Sequence, residues 1–243
     1  MILAIDAGNS RVKWGLHDGQ NWVRQDSTDN REVGALAETW RQLEPPSRIV
    51  VSNVAGADMR GSLASLLAPW ALAPVWMTAQ ASALGVLNGY DDPGQLGSDR
   101  WAALVAAWGM LAAGCLVVNA GTAMTVDVLS DQGVFQGGII VPGEAAMRHA
   151  LFANTALPEQ PGGCFKPLPT NSADAIHSGA LRALAGAVES MWRELLRSGA
   201  RAPRCVLSGG AAPALAELLT LPIVAVDNLV LEGLVRIARQ AET

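Results

Sequence analysis

The feature that most constrains the fold is an order of elements that occurs twice. Residues 2–16 and 116–129 each contain a short apolar run, a turn with glycine, and a second run with alternating apolar residues. This order is typical of two strands joined by a tight turn. Strand-like and helix-like segments follow each pair, so the sequence predicts an α/β chain of two related halves, with mixed sheets flanked by helices. We place the halves at residues 1–114 and 115–243.

Periodicity and turn residues predict the remaining elements. Apolar residues at helical spacing predict helices at 31–43, 59–67, 98–112, 144–152, 172–197, 213–219 and 229–240. Short apolar runs predict further strands at 49–51, 75–77, 134–141, 205–207 and 223–226. Residues 85–99 are rich in glycine, proline and asparagine, and they predict a loop.

Composition excludes several classes of protein. Hydrophobic residues make up 50% of the 243 residues and charged residues only 16%, which excludes an intrinsically disordered chain. The net charge of −5 offers no basic face, so we expect no nucleic acid partner. The three cysteines are widely separated and include no C-x-x-C pair. This spacing argues against a disulfide framework or a cysteine zinc site, and it favours the cytoplasm.

One uncharged segment is long enough to span a bilayer. Trp101–Val126 contains no charged residue, but glycines interrupt it and its character changes at Cys115 from alanine-rich to β-branched. We therefore expect a buried helix followed by a buried strand, and no membrane partner. The opening segment Met1–Asp6 has no basic region, so a signal peptide is not expected.

The first glycine turn is a candidate phosphate site. Asp6–Ser10 closes an apolar strand with a carboxylate, a glycine and small polar residues. Backbone N–H groups beside Gly8 can approach phosphate oxygens, Asp6 can position Mg²⁺, and Lys13 can add positive charge. An ordinary hairpin turn is the alternative interpretation.

Two later glycine turns extend this hypothesis. Asn119–Asp127 places the hydroxyls of Thr122 and Thr125 beside a glycine at the end of a strand. Asp127, two residues after Thr125, should face the same side of the next strand, and it is a candidate metal ligand. Ser208–Gly210 is a third turn, at which adjacent glycines would let a ring or ribose lie on the backbone. Threonines chosen for β propensity are the alternative at the second turn.

Gly97–Arg100 is the most informative acidic site. The structural interpretation makes Ser98 a helix N-cap and Asp99 a first-turn acid. The functional interpretation makes Asp99 a general base towards a substrate hydroxyl, with Arg100 pairing an anionic group. The only tyrosine, Tyr90, lies shortly before this site.

Five motifs in order resemble those of the type III pantothenate kinases, which belong to the actin-like and sugar-kinase ATPase superfamily. Their positions here are Asp6–Ser10, Gly97–Arg100, Gly121–Asp127, Gly137–Gly143 and Asn171–Gly179. The resemblance implies two ribonuclease-H-like halves and ATP-dependent phosphorylation of pantothenate, the first step towards coenzyme A. It also implies a homodimer.

The resemblance assigns roles to particular residues. ATP would be held by Asp6, Ala7, Gly8, Asn9, Ser10, Arg11, Val12, Lys13 and Thr122. Pantothenate would be contacted by Tyr90, Gly97, Ser98, Asp99, Arg100 and Ser172. Asp99 would also accept the proton of the alcohol, with Mg²⁺ neutralising phosphate charge.

One departure and two alternatives accompany the resemblance. The family commonly has an aspartate as a ligand for a monovalent cation, K⁺ or NH₄⁺, where this chain has Asn119. An amide oxygen can coordinate the ion without supplying charge, so we expect weak potassium dependence. The alternatives are a kinase for a sugar or another small alcohol, and a non-catalytic ATP-binding regulatory protein of the same fold.

Overall fold

The structure is a computed structural model that describes residues 1–155 and 162–240. The strands are β1 (Ile2–Ala7), β2 (Arg11–His17), β3 (Trp22–Asp29), β4 (Arg48–Asn53), β5 (Val75–Trp76), β6 (Ser82–Ala83), β7 (Val86–Asn88), β8 (Cys115–Ala120), β9 (Ala123–Leu129), β10 (Val134–Pro142), β11 (Arg204–Ser208) and β12 (Ile223–Ala225). The α-helices are α1 (Leu36–Arg41), α2 (Ala57–Leu67), α3 (Ser98–Leu111), α4 (Glu144–Asn154), α5 (Ser172–Arg197), α6 (Ala212–Ala216) and α7 (Leu229–Gln240).

The chain divides into two compact units. Unit 1 comprises residues 1–112 together with 228–243, and unit 2 comprises residues 113–227. The predicted division at residue 114 differs from these units by the last helix, because α7 packs in unit 1. Gly233 of α7 lies so close to the carbonyl of Ala102 on α3 that a Cβ would clash with it. Such close helix packing requires glycine at that position.

The sheet of unit 1 has the strand order β3-β2-β1-β4-β5. The first three strands are antiparallel neighbours, whereas β4 and β5 run parallel to β1. In the register of the parallel pair, Asp6 on β1 is opposite Ser52 on β4. The core of unit 1 contains buried side chains of this sheet, among them Leu3, Ile5 and Trp14, together with buried side chains of α1 and α2.

Unit 2 repeats this arrangement. Its strands have the order β10-β9-β8-β11-β12, with β8, β9 and β10 antiparallel and with β11 and β12 parallel to β8. Asn119 on β8 is opposite Ser208 on β11, as Asp6 is opposite Ser52 in unit 1. Side chains of β8, β9 and α5, among them Leu116 and Val188, form the buried core of this unit. The predicted repetition of strand, turn and strand is therefore confirmed.

Several predicted elements differ from those observed. Residues 22–29 form β3, although they were not predicted as a strand, because this strand is half-buried to exposed and its polar residues show no apolar run. The predicted loop at 85–99 contains β7, and β6 pairs with it antiparallel. The predicted helix at 31–43 begins as a 3₁₀ turn, Asn30–Ala35, before α1.

The uncharged segment Trp101–Val126 forms most of α3, then β8 and the beginning of β9. Within residues 1–155 and 162–240, no helix is both long and apolar enough to cross a membrane.

Candidate functional site

The carboxylate of Asp6 lies at the end of β1 in unit 1. It is 9% exposed, and its Oδ1 atom is buried without a hydrogen-bond partner among the described residues. The pKa of Asp6 is raised to about 7; burial is the largest cause, the negative charge of Asp99 also raises the pKa, and the positive charge of Lys13 lowers it. Asp6 and Asp99 thus lie close enough for their charges to interact, as expected for carboxylates sharing a site.

The first glycine turn, Gly8–Ser10, is open towards solvent. Its Gly8 N–H donates to the Arg11 carbonyl at 3.0 Å. Asn30 holds the turn from β3's end, because its side-chain amide donates to the Gly8 carbonyl at 2.9 Å and its backbone N–H donates to the Ser10 carbonyl at 3.0 Å. Asn9, Ser10 and Arg11 are exposed. The turn therefore presents exposed polar residues close to Asp6 in the chain.

Not every residue of the predicted ATP set has an accessible side chain. Ala7 and Val12 are fully buried in the core of unit 1, so neither residue is exposed to a nucleotide in this structure. Lys13, on β2 and opposite Asp6 in the strand register, is half-buried, and its charge reaches Asp6.

The chemistry of Asp6 fits Mg²⁺. A buried carboxylate oxygen with no donor is the hard anionic ligand that this ion takes, and Mg²⁺ commonly uses one or two carboxylates together with substrate phosphates. Asp127, the other candidate metal ligand, is 1% exposed on β9 of unit 2.

The helix that carries Asp99 begins at Ser98, as predicted, but its N-cap is a different residue. Gly97 is the N-cap of α3, and its carbonyl accepts from the Trp101 N–H at 2.9 Å. Ser98 is the first helical residue and makes no capping bond; its hydroxyl instead pairs with that of Ser52 at 2.9 Å, in a buried contact. The predicted N-cap at Ser98 is therefore wrong, because tertiary contact with β4 takes its hydroxyl.

Asp99 is in the first helical turn, as predicted. Its Oδ1 atom accepts from the backbone N–H of Arg100 at 2.8 Å and lies back over Gly97, where a Cβ would approach it to 2.6 Å. A larger residue at Gly97 would displace this carboxylate.

Arg100 and Tyr90 form a second pair beside Asp99. The guanidinium of Arg100 donates to the Tyr90 hydroxyl at 2.9 Å and lies 5.7 Å from the centre of its ring. Arg100 is 6% exposed, so its charge is held in a defined position. The Tyr90 backbone N–H donates to the Asn88 side chain at 3.1 Å. Unit 1 thus brings the predicted base, cation and tyrosine together.

The second glycine turn ends β8 in unit 2. Gly121 donates to the Ala123 carbonyl at 3.1 Å, and Thr122 is exposed beside it. The Gly143 N–H, just before α4, donates to the Thr122 carbonyl at 2.9 Å. A Cβ at Gly143 would clash with the backbone of Gly121 and Thr122, so only glycine permits this contact. Asn119, at the end of β8, is half-buried.

The third glycine turn packs on the second. Gly209 has φ +100°, and a Cβ there would approach the carbonyl oxygen of Ala120 to 2.5 Å. The Ala211 N–H donates to that carbonyl at 3.1 Å. Because β8 and β11 are parallel, both turns lie at the carboxyl ends of adjacent strands, where open α/β sheets bind ligands.

Helix α5 contacts the first residue of α4. Oε1 of Glu144 lies 3.2 Å from the Arg148 guanidinium and 3.0 Å from Nδ1 of His177 on α5. Ser172, the first residue of α5, is exposed and follows the N-cap Asn171, whose side chain accepts from the backbone N–H of Asp174 at 2.9 Å.

Sequence reasoning missed Ser52, Asn30 and the Glu144–His177 contact. Ser52 follows an apolar run as Asp6 does, which is a signal that could have identified it. The other two arise from contacts between distant segments, which periodicity does not report.

Comparisons with known proteins identify the family of the chain. A model of the type III pantothenate kinase family matches residues 2–194. The chain is 51% identical over 240 residues to a type III pantothenate kinase of Nitrosospira multiformis, covering 99% of this chain and 92% of that protein. A solved structure described as a putative Baf family transcriptional activator from Campylobacter jejuni is similar, with a TM-score of 0.62 and 19% identity. The similarity covers 99% of this chain and 98% of that chain.

A structure titled as a putative 2-dehydro-3-deoxygalactonokinase from Sinorhizobium meliloti has a TM-score of 0.59 and 15% identity, and it covers 99% of both chains. These two structural likenesses concern the fold alone. They confirm the predicted α/β fold class, with mixed sheets flanked by helices.

Proposed function

The chain belongs to the type III pantothenate kinase family, and from that premise we propose that it transfers the γ-phosphoryl group of ATP to pantothenate, giving 4′-phosphopantothenate for coenzyme A synthesis. The observation that carries the proposal is that Asp6 is the register partner of Lys13 and of Ser52, and that Ser52 contacts Ser98, the residue before Asp99. One carboxylate suits a metal-bound phosphate, and the other suits the attacking alcohol.

Asp99 takes the catalytic role in this proposal. Phosphoryl transfer passes through a loose transition state, so a base that orients the alcohol and takes its proton late is sufficient. The position of Asp99 over Gly97, fixed by its bond to the Arg100 N–H, gives the carboxylate a defined direction. Such a base contributes about 10²–10⁴-fold to turnover.

ATP would bind through the first glycine turn with Asp6 and Lys13, and through Thr122 on the second turn. Asn9 and Ser10 are exposed residues of this turn, and backbone N–H groups in such a turn can donate to phosphate oxygens. Mg²⁺, when bound with the nucleotide, would neutralise phosphate charge, and Asp6 would hold it. In this proposal, backbone N–H groups of the two glycine turns donate to the phosphates. Such donors do not require many positively charged residues, so this mode of binding is compatible with a net charge of −5.

Pantothenate would bind beside Tyr90 and Gly97–Arg100. Pantothenate is a carboxylate, and the buried guanidinium of Arg100 is the type of group that pairs with one. Its bond to the Tyr90 hydroxyl fixes the guanidinium in place. Ser172 would add a hydroxyl contact.

We also propose that the chain responds weakly to K⁺ or NH₄⁺. Asn119 offers an amide oxygen at the end of β8, where relatives of this family commonly place a carboxylate. An amide ligand lacks the Coulomb attraction of a charged one.

We further propose that the chain is a homodimer that works in the cytoplasm. An apolar groove of about 610 Å³ lies between α4 and α5 and includes Met147, Leu151 and Ile176. Leu168, in the same unit, is 87% exposed. A second copy would cover this apolar face, and light scattering of the parent and of Leu151→Asp would measure it. The free cysteines agree with a reducing compartment.

A coupled ADP-release assay tests the proposed activity. The acceptors are pantothenate, pantetheine, small sugars and glycerol, and the donors are ATP, GTP and inorganic polyphosphate. We expect pantothenate with ATP to give the highest kcat/KM. Turnover of a sugar but not of pantothenate would favour the other-alcohol kinase, and nucleotide binding without turnover of any acceptor would favour a regulatory protein.

A further inference from the structure

A buried pair of serine hydroxyls joins β4 to α3 in unit 1. Ser52 is 0% exposed and Ser98 is 8% exposed. Their Oγ atoms lie 2.9 Å apart, so one hydroxyl donates to the other. The residues are 46 positions apart in the chain, and the bond is thus a tertiary contact rather than a local turn.

Both ends of this contact are adjacent to proposed catalytic groups. Ser52 is the register partner of Asp6 on the neighbouring parallel strand. Ser98 directly precedes Asp99 in the first turn of α3. The hydroxyl pair therefore connects the strand end that carries the metal-side carboxylate to the helix start that carries the base.

Among the described residues no side chain at the N-cap fixes the start of α3, whose first turn is otherwise held by the bonds of Arg100 to Asp99 and Tyr90. Ser98 makes no capping bond, and Gly97, the N-cap, has no side chain to provide one. A helix start normally satisfies its free N–H groups with a side-chain cap. A buried hydroxyl with a defined partner can fix the approach of this turn to the sheet.

We propose that Ser52 is a positioning residue that sets the location of the Asp99 carboxylate through its bond to Ser98. Ser52 need not touch substrate or nucleotide to do so. This inference rests on the proposed function, because it deepens the role of the same site. It predicts that loss of the Ser52 hydroxyl lowers kcat while nucleotide affinity stays unchanged.

The principal variant is Ser52→Ala, and its matched control is Ser130→Ala. Ser130 is also a buried serine, and its hydroxyl accepts from the N–H groups of Gln132 and Val134 in the turn between β9 and β10. The control removes a buried hydroxyl from unit 2, away from Asp99 in the chain. Both variants should lose stability, so a common loss of Tm does not distinguish them.

Three measurements decide the proposal: kcat with saturating ATP and pantothenate, Kd for a fluorescent ATP analogue, and Tm. Misplacing a catalytic group by about 1 Å can cost on the order of 10²-fold in rate, so we expect kcat of Ser52→Ala to fall about 10- to 100-fold. Kd should stay within about twofold. Ser130→Ala should keep the parent kcat. A Ser52→Ala variant whose kcat matches that of Ser130→Ala would overturn the proposal.

Ser52→Cys keeps the test decisive if the alanine variant does not fold. The thiol is close to isosteric and is a weaker hydrogen-bond donor. We expect about a threefold or larger loss of kcat with unchanged Kd, and a parent-like kcat would reject a positioning role.

Hydrogen exchange separates this inference from the proposed function. The Trp101 N–H is bonded to the Gly97 carbonyl at the start of α3. We expect this amide to exchange faster in Ser52→Ala or Ser52→Cys than in the parent, because the turn is less firmly held. If the parent does not phosphorylate pantothenate, the proposed function fails. Faster exchange would still support the anchoring of α3 by Ser52, and unchanged exchange would overturn it.

Discussion

Asp6→Asn should stabilise the ligand-free protein at alkaline pH. The carboxyl of Asp6 is buried, and burial is the main reason that its pKa rises from 3.8 to about 7. Between these pH values the folded protein retains a proton that the unfolded chain has released. The contribution of Asp6 to the free energy of unfolding is therefore fully present below the unfolded pKa, and it is lost as pH rises through the folded pKa.

The size of this effect follows from the shift. A rise of about three pKa units at about 1.4 kcal/mol each corresponds to about 4 kcal/mol between about pH 4 and pH 8. Asparagine is neutral throughout, so Asp6→Asn removes this dependence. The variant should equal the parent near pH 4 and exceed its free energy of unfolding by up to about 4 kcal/mol near pH 8.

Urea unfolding at several pH values, followed by tryptophan fluorescence, measures the difference. Asp58→Asn, at an exposed position in the first turn of α2, controls for the loss of one negative charge. The control should change stability by less than about 1 kcal/mol. Mg²⁺ with ATP should stabilise the parent more than Asp6→Asn, and the variant should lose activity. A stability difference that does not grow with pH, or a variant less stable than the parent near pH 8, would refute the reasoning.

Three further predictions concern the proposed site. Asp99→Asn should keep the parent Tm but lose about 10²–10⁴-fold in turnover, and turnover within about threefold of the parent would leave Asp99 only a structural role. Asn119→Asp should strengthen activation by K⁺, measured as initial rate against KCl at constant ionic strength, and steep activation of the parent would contradict the expected weak dependence. Gly143→Ala should raise the ATP KM more than about fivefold, because its Cβ would displace the turn at Thr122. Gly186→Ala, on the open face of α5, is the matched control and should leave that KM unchanged.

Local signals in the sequence were sufficient for much of the fold. The order of strand, glycine turn and strand at residues 2–16 and 116–129 matches the first strand pair of each unit. Amphipathic spacing also placed α5 at its observed bounds, since a long helix with one buried face has a clear period. The edge strand β3 was not predicted, because a strand that is half-buried to exposed shows no apolar run in the sequence.

The candidate site was only partly predictable. Its residue types follow from the motifs, because a carboxylate at a strand end and glycine beside it are visible in the sequence. The sequence alone did not show that Arg100 donates to Tyr90, or that Ser98 bonds Ser52 rather than capping α3. Each of these contacts joins segments whose approach depends on packing.

The sequence by itself determined the repeated α/β order, the positions of the glycine turns and the chemical character of the site residues, since all of these depend on neighbours within a few positions. Only the tertiary structure decided that Asp6 is buried with a raised pKa, that Gly209 lies on Ala120, and that α7 joins unit 1. Burial and close approach arise when distant segments exclude water between them. The periodicity of a short stretch of sequence does not indicate which distant segments will pack together.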